Sequence, residues 1–232
     1  MPTTDSGPCV ALRSRLFGIQ RMTRCSLLLL FIGALPSLFV AAAAKADPAG
    51  ATAQGLAILI NEDPSNPQGE RHPGSVVWRT VRIKTAGQPD ELVIHGDIVI
   101  PDVKMTMAMA FGRNTDKRLP ASHVVEMTFV VPQDVAGGGV ISAPGIMMKF
   151  TEPARGVPLS ARSVMITEGS FLIGLSNLEV DRARNLLLLK ERAWFDIPVV
   201  YANQHRGILA IEKGYLGEDI FHDAMTAWER PL

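Results

Sequence analysis

Cysteine is almost absent from this chain of 232 residues, since it occurs only at Cys9 and Cys25, close to the N-terminus. The rest of the chain therefore has no disulfide, no thiolate zinc site and no cysteine nucleophile. Histidine is also scarce: there are five, and no two have the spacing of a metal-binding motif. Without disulfides or a bound metal, the chain must be stabilised by its apolar core. We also expect no cofactor.

An excess of basic charge is lacking as well, because 23 Lys and Arg residues stand against 23 Asp and Glu residues. Residues 1–46 contain five of the basic residues and one of the acidic ones, which leaves 18 basic and 22 acidic residues beyond Ala46. A mildly acidic surface does not attract a phosphate backbone, so we expect no nucleic acid partner.

One long apolar run is present, SLLLLFIGALPSLFVAAAA, from Ser26 to Ala44. Arginines precede it and the small-residue sequence Ala44-Lys45-Ala46 follows it, so the pattern predicts a secretory signal cleaved after Ala46. We therefore expect an exported protein, periplasmic or secreted. The alternative is an uncleaved anchor in the inner membrane formed by residues 26–44, because about twenty apolar residues can cross a bilayer.

These features divide the chain into three parts. Residues 1–46 form the leader and signal peptide, or the N-terminal membrane anchor, and a start at Met22 gives a more typical signal than a start at Met1. Residues 47–54 form a linker of small residues, and residues 55–232 form a single β-rich exported domain.

Between Gly55 and Ser176, turn residues separate short apolar runs about every 8 to 15 positions. This spacing predicts antiparallel β-sandwich-like sheets rather than βαβ units. Two longer interruptions, Asn61 to Gly74 and Gln133 to Gly145, are predicted as loops because their prolines and glycines oppose regular structure.

The last third of the chain predicts a helix, a hairpin and a second helix. Ser176-Asn177-Leu178-Glu179 is typical of a capping box, and the residues predicted to face inward from the helix after it are Val180, Ala183, Leu186 and Leu187. WFDIPVVYA and GILAIEKG, joined by NQHR, predict the hairpin. The closing helix starts at Gly217, and its predicted inner face consists of Ile220, Phe221, Ala224, Ala227 and Trp228. The predicted fold class is α+β, mainly β.

Four segments resemble the shared landmarks of an uncharacterised family of bacterial exported or membrane-tethered domains. They are RNTDKRLPASH, FLIGLSN, LLKERAWFDIPVVY and ILAIEKG, in this order. The resemblance extends from about Leu56 to Trp228. It implies a domain that can follow a transmembrane N-terminal region, and it implies no activity, ligand or catalytic residue.

The densest polar stretch, GRNTDKRLPASHVVEM, is predicted first as a loop between two strands. Its residues Arg113, Asp116, His123 and Glu126 are the one cluster that suggests a hydrolase-like enzyme. That hypothesis requires at least three of the four side chains to meet in one pocket.

Two serines are candidate nucleophiles, Ser122 and Ser176. Ser122 adjoins His123, but neighbours on a strand are expected to point to opposite faces and to share no hydrogen bond. Ser176 lies between a strand and a helix without the G-x-S-x-G motif, so we interpret it as a helix cap.

The segment MTMAMA places Met105, Met107 and Met109 on one face of a strand. Three thioethers are suitable ligands for cuprous copper, so a Met-rich copper binder is one hypothesis. Methionine is also an ordinary filler of irregular cores, and this second interpretation is favoured.

The missing catalytic pattern favours a non-catalytic exported domain that binds a protein or envelope component through sheet edges or loops. The hydrolase-like enzyme and the copper binder are the alternatives. Contact with a membrane is expected only through the N-terminal segment, if that segment is not cleaved.

Overall fold

Alternation of buried and exposed residues generates the strands of this protein. In β4, Met105, Met107 and Met109 are buried while Thr106 and Ala108 are exposed. The computed structural model describes residues 52–83, 91–132 and 137–229. In these ranges the strands are β1 (Thr52–Asp63), β2 (Asn66–Ile83), β3 (Glu91–Ile100), β4 (Met105–Arg113), β5 (Ala121–Val130), β6 (Val140–Ser142), β7 (Met147–Lys149), β8 (Val157–Pro158), β9 (Ala161–Thr167), β10 (Ser170–Ser176), β11 (Trp194–Tyr201) and β12 (Arg206–Glu212), and the helices are α1 (Glu179–Glu191) and α2 (Tyr215–Trp228).

All of these strands belong to one antiparallel sheet with the order β8-β7-β11-β12-β1-β2-β3-β4-β5-β10-β9, and β6 pairs with β11. The sheet is strongly curled. Phe111 on β4 and Phe195 on β11 lie five strands apart, about 24 Å in a flat sheet, yet their ring centroids are 5.6 Å apart. At the two ends of the strand order, β8 and β9 are separated in the chain by Leu159 and Ser160 alone. The α+β, mainly β fold is confirmed, and the predicted sheets form one continuous sheet around the core.

Helix α2 closes the core on the concave side of the sheet. The ring of Phe221 lies 5.1 Å from that of Trp78 and 5.3 Å from those of Phe111 and Phe195. Trp228, at the end of the same helix, donates a hydrogen bond from Nε1 to the Leu92 carbonyl at 2.9 Å. The predicted inner face of this helix is confirmed for all of its members except Ala227, which is half-buried.

The predicted loop from Asn61 to Gly74 is wrong, because these residues belong to a long β1–β2 hairpin. Its turn is closed by Asp63, whose Oδ1 accepts hydrogen bonds from the backbone N and the Oγ of Ser65 at 2.8 and 2.7 Å. Pro67 and Pro73 are tolerated because β3 pairs with β2 only from Ser75 onward, which leaves residues 66–74 as an edge segment.

Two further boundaries differ from the prediction. The segment from Gln133 to Gly145 contains β6, while residues 133–136 lie outside the described part. Strand β1 begins at Thr52, so residues 52–54 of the predicted linker belong to the sheet. The predicted signal or anchor, residues 1–46, lies outside the described residues. No helix in the described ranges has the length and apolar character needed to cross a membrane.

Helix α1 departs most from its prediction. It begins at Glu179 with Leu178 as N-cap and no side-chain cap, so the predicted capping box is wrong, and Ser176 Oγ instead accepts a hydrogen bond from the Leu178 backbone at 3.3 Å. The predicted inner face is wrong for three of its four members; the fourth, Leu186, is half-buried and packs against the core. The buried residues are Asn185, Leu188 and Leu189, and the exposed ones include Val180, Ala183 and Leu187.

Buried polar contacts explain which face of α1 packs on the protein. The Asn185 amide accepts a hydrogen bond from the Ser160 backbone N at 2.8 Å and donates one to the Ser160 carbonyl at 2.9 Å. Near the C-terminal end, Lys213 Nζ donates to the Leu189 carbonyl at 2.5 Å. These bonds require the Asn185 face to point inward, although the opposite face is also apolar.

Candidate functional site

The polar stretch between β4 and β5 is a loop held by its own hydrogen bonds. Asn114 Nδ2 donates to the carbonyls of Leu119 and Ala121, both at 2.8 Å. Arg118 forms a two-pronged ion pair with Asp116 at 2.8 and 3.0 Å. The hydrogen bonds from the Arg118 side chain and backbone lower the pKa of Asp116 to about 2. Asp116 therefore stabilises a turn and is not directed at another member of the predicted cluster.

Arg113 and His123 do lie side by side, because they are register partners on β4 and β5 and share the core side of the sheet. The Arg113 guanidinium binds both carboxylate oxygens of Glu91, from Nε to Oε2 at 3.2 Å and from Nη2 to Oε1 at 3.1 Å. This partly buried, bidentate ion pair joins the start of β3 to the end of β4. Arg113 thus links two neighbouring strands.

His123 is buried, and its ring lies 5.2 Å from that of Trp228. Burial lowers the pKa of His123 to about 4, and the positive charges of Arg182 and Arg113 act in the same direction. The ring is therefore neutral near pH 7. Among the described residues, Nε2 has no hydrogen-bond partner, whereas Nδ1 lies 3.2 Å from the hydroxyl of Ser122.

That contact between Ser122 and His123 contradicts the expectation that these neighbours share no hydrogen bond. The strand is irregular here: Leu175 of β10 faces His123, but the next residue, Ser176, faces Ala121, so Ser122 is an extra residue in β5. The Ser122 hydroxyl donates to the Ser176 carbonyl at 2.9 Å. Its oxygen is then the acceptor for His123, which is the reverse of what a serine nucleophile needs.

Glu126 lies on the opposite side of the sheet from His123. Strand residues three apart face opposite ways, and Val125 and Met127 on either side of Glu126 are buried in the core. The Glu126 side chain is half-buried on the outer face of the sheet, and this partial burial raises its pKa. Of the four predicted residues, the structure therefore brings together Arg113 and His123 alone. Asp116 and Glu126 do not join them in a common pocket.

The three methionines of β4 lie in the hydrophobic core, and each is no more than 2% exposed. Met109 faces Met127 across the β4–β5 pairing, and Met107 faces Phe129. Among the described residues, no group of three His, Cys, Asp or Glu side chains is placed to hold a metal ion. These positions match the core-packing interpretation of MTMAMA.

An open groove of about 690 Å³ lies on the outer face of the sheet, at the end where β5 begins and β10 ends. Its floor includes Val164 of β9 and Leu172 of β10. Its sides are residues 119–121, the N-cap residue Leu178 and Asp181 in the first turn of α1. Sequence reasoning missed this groove because it depends on which strands are adjacent, although residues 119–121 belong to the polar stretch singled out above.

The groove combines apolar and charged groups. Val164 is 57% exposed and Leu178 is 67% exposed, so apolar surface is presented directly to solvent. Arg162 and Asp181 supply charges of opposite sign in the lining. Such a surface can take up apolar side chains and orient a polar chain beside them.

Comparison with known proteins shows no matching family model, no similar curated protein and no similar solved structure.

Proposed function

We propose that this chain is a non-catalytic exported domain that binds an extended segment of another secreted or envelope protein in the outer groove. The groove carries the proposal, because Val164, Leu172 and Leu178 form an apolar surface beside Arg162 and Asp181. Extended peptides bind through pockets for alternate side chains, and polar contacts at the margin set their direction. The export of the domain rests on the signal sequence predicted for residues 1–46.

The scaffold around the groove supports recognition by a preformed surface. The loop at residues 119–121 is held by Asn114, and the start of β9 is tied to α1 through Ser160 and Asn185. A surface that is already ordered loses little conformational entropy when a ligand binds. The segment from Asn61 to Gly74 is a hairpin and not a loop, so it offers less support for recognition by a loop than the groove offers for recognition by a preformed surface.

The hydrolase-like alternative has less support. It needs three of its four residues in one pocket, and Glu126 lies on the outer face whereas His123 lies on the core side. The copper alternative needs thioethers that an ion can reach, and Met105, Met107 and Met109 are buried in the core.

Selection from a library of random peptides, with the full chain as the cell processes it, tests the proposal. We expect the enriched peptides to carry apolar residues. We expect Leu172→Arg to weaken their binding at least about tenfold, because a buried contact is replaced by a charge. Leu187→Arg is the matched control: Leu187 is 52% exposed on α1 and does not line the groove. If the Leu172→Arg chain enriches the same peptides as the unchanged chain, the groove is not the binding site.

A further inference from the structure

Helix α1 presents an apolar stripe to solvent. Val180 is 82% exposed and Leu187 is 52% exposed, and Ala183 between them is also exposed. The spacings of three and four residues place these side chains on one face. The opposite face of the same helix packs on the rest of the domain, and its buried residues are Asn185, Leu188 and Leu189.

The stripe has the spacing of a coiled-coil seam. When Val180 is assigned to heptad position a, Ala183 falls at d and Leu187 at the next a; the following d position is Lys190, so the apolar seam ends at Leu187. Glu179 then occupies position g and Arg184 position e, so a negative and a positive side chain flank the seam. Both are exposed. Glu179 contacts Arg182 of its own helix at 3.4 Å, a surface contact of small energetic value, and Arg184 forms no ion pair with any described residue.

These charges are complementary to a second copy of the same helix. In a parallel helix pair, a residue at g faces the residue at e five positions later on the partner helix, which matches the offset from Glu179 to Arg184. A two-fold axis would produce this pair twice. An antiparallel arrangement would instead bring the two Arg184 side chains together, and like charges repel.

We propose that α1 is a self-association surface, on which two copies of the chain pair their α1 helices in parallel. The small side chain of Ala183 at the centre of the seam allows close approach of the helix backbones. The seam is short, so it buries less than the roughly 1,200 Å² of a standard interface, and the association is weak and reversible. This inference is independent of what the groove binds.

Charge exchange tests the pairing. Sedimentation equilibrium of the full chain, as the cell processes it, should show concentration-dependent dimerisation. Glu179→Arg and Arg184→Glu should each weaken it at least about tenfold, since each creates two like-charge contacts. The double variant Glu179→Arg/Arg184→Glu should restore it, because the exchanged charges still face each other. Asp219→Arg makes the same charge change at an exposed position of α2, outside both the seam and the groove, and should leave dimerisation unchanged.

A cross-link gives a second readout. In a chain with Cys9→Ser and Cys25→Ser, the substitution Ala183→Cys should form a disulfide-linked dimer on mild oxidation, because the two copies of residue 183 face each other across the axis. Circular dichroism of every variant checks that α1 is still folded. A wild-type chain that stays monomeric at about 1 mM, where even an association of about 4 kcal/mol is half-populated, would overturn the proposal. So would a double variant as weak as the single ones.

The groove and the helix can fail separately. Leu187→Arg should abolish dimerisation and leave peptide binding unchanged. Leu172→Arg should weaken peptide binding and leave dimerisation unchanged. If both variants affect both measurements, neither surface acts as proposed.

Discussion

Lys213 is fully buried, and its Nζ donates a hydrogen bond to the carbonyl of Leu189, 24 residues earlier in the chain, at 2.5 Å. The acceptor is one of the last carbonyls of α1, which have no partner within the helix. The ammonium group also lies 4.8 Å from the ring centroid of Phe221 and 5.7 Å from that of Phe195. One side chain on the connection between β12 and α2 therefore joins α1 to the aromatic core.

The stability of the protein should rise with pH because of Lys213. Burial lowers its pKa from 10.5 to about 7, and the carboxylate of Glu218 opposes this shift only in part. Between pH 7 and 10.5 the unfolded chain holds a proton that the folded chain has released, so the free energy of unfolding increases across that interval. We expect an increase of roughly 3 to 5 kcal/mol in wild type relative to Lys213→Met, measured by urea unfolding at several pH values.

Lys117→Met is the control for this measurement, because Lys117 is exposed in the loop before β5. It should leave the pH dependence of wild type unchanged. Comparison of each variant with wild type at the same pH removes contributions from other groups, such as Tyr201, whose pKa burial raises to about 12. If the free energy of unfolding changes with pH in the same way in wild type and in Lys213→Met, Lys213 is not the cause of the rise.

A buried ion pair joins β7 to β11. Lys149 Nζ lies 2.7 Å from Asp196 Oδ1, and both side chains are less than a tenth exposed. Burial raises the pKa of Asp196, and the hydrogen bond and positive charge of Lys149 oppose that shift. Lys149→Met should lower the free energy of unfolding by about 3 to 5 kcal/mol, because it leaves the Asp196 carboxyl buried without its partner.

The double variant Lys149→Met/Asp196→Leu separates the charge effect from the loss of packing. It should recover most of the lost stability, since apolar residues of similar volume often replace a buried ion pair at little cost. Chemical denaturation of the two variants and of wild type gives the comparison. A double variant that is no more stable than Lys149→Met would show that packing by the lysine side chain, and not the stranded charge, accounts for the loss.

Acid should destabilise the fold through His123. The pKa of this side chain is about 4 in the folded protein and 6.5 in the reference state, so the unfolded chain binds a proton first as the pH falls. The stability contributed by the neutral ring is complete above pH 6.5 and is lost as the pH falls toward 4. We expect His123→Gln to reduce the acid sensitivity between pH 6.5 and 4 by about 2 to 3 kcal/mol.

His205→Gln is the matched control for this experiment, because His205 is exposed in the turn between β11 and β12. Thermal or chemical unfolding of both variants at pH 7, 5.5 and 4 provides the data. Equal acid sensitivity in wild type and His123→Gln would mean that other groups dominate acid unfolding.

Local patterns predicted several elements correctly. The hairpin of β11 and β12 follows from two alternating strands around a short polar turn, and every residue that specifies it lies within about twenty positions. The inner face of α2 follows from its helical period, because this helix has one apolar side. Whether His123 and Glu126 share a face stayed open at the level of sequence, and the bounds and burial of β5 place them on opposite sides.

Other features could not be predicted from local patterns. Helix α1 has apolar residues on two faces, so its orientation depended on Asn185 and Lys213, whose partners are 25 and 24 residues away in the chain. The prolines near Asn61 oppose a strand in general, and they were accommodated because residues 66–74 lie beyond the end of β3. The contact between Ser122 and His123 arose from a bulge that pairing with β10 imposes.

Residue order therefore determined the α+β class and the apolar faces of most strands and of α2, since periodicity is a local property of the chain. Long-range pairing decided the rest. The curl of the sheet, the groove between β9, β10 and α1, and the face of α1 left exposed all depend on contacts between residues distant in sequence. Burial of polar partners such as Asn185 and Lys213 selected one packing among those that the apolar pattern allowed.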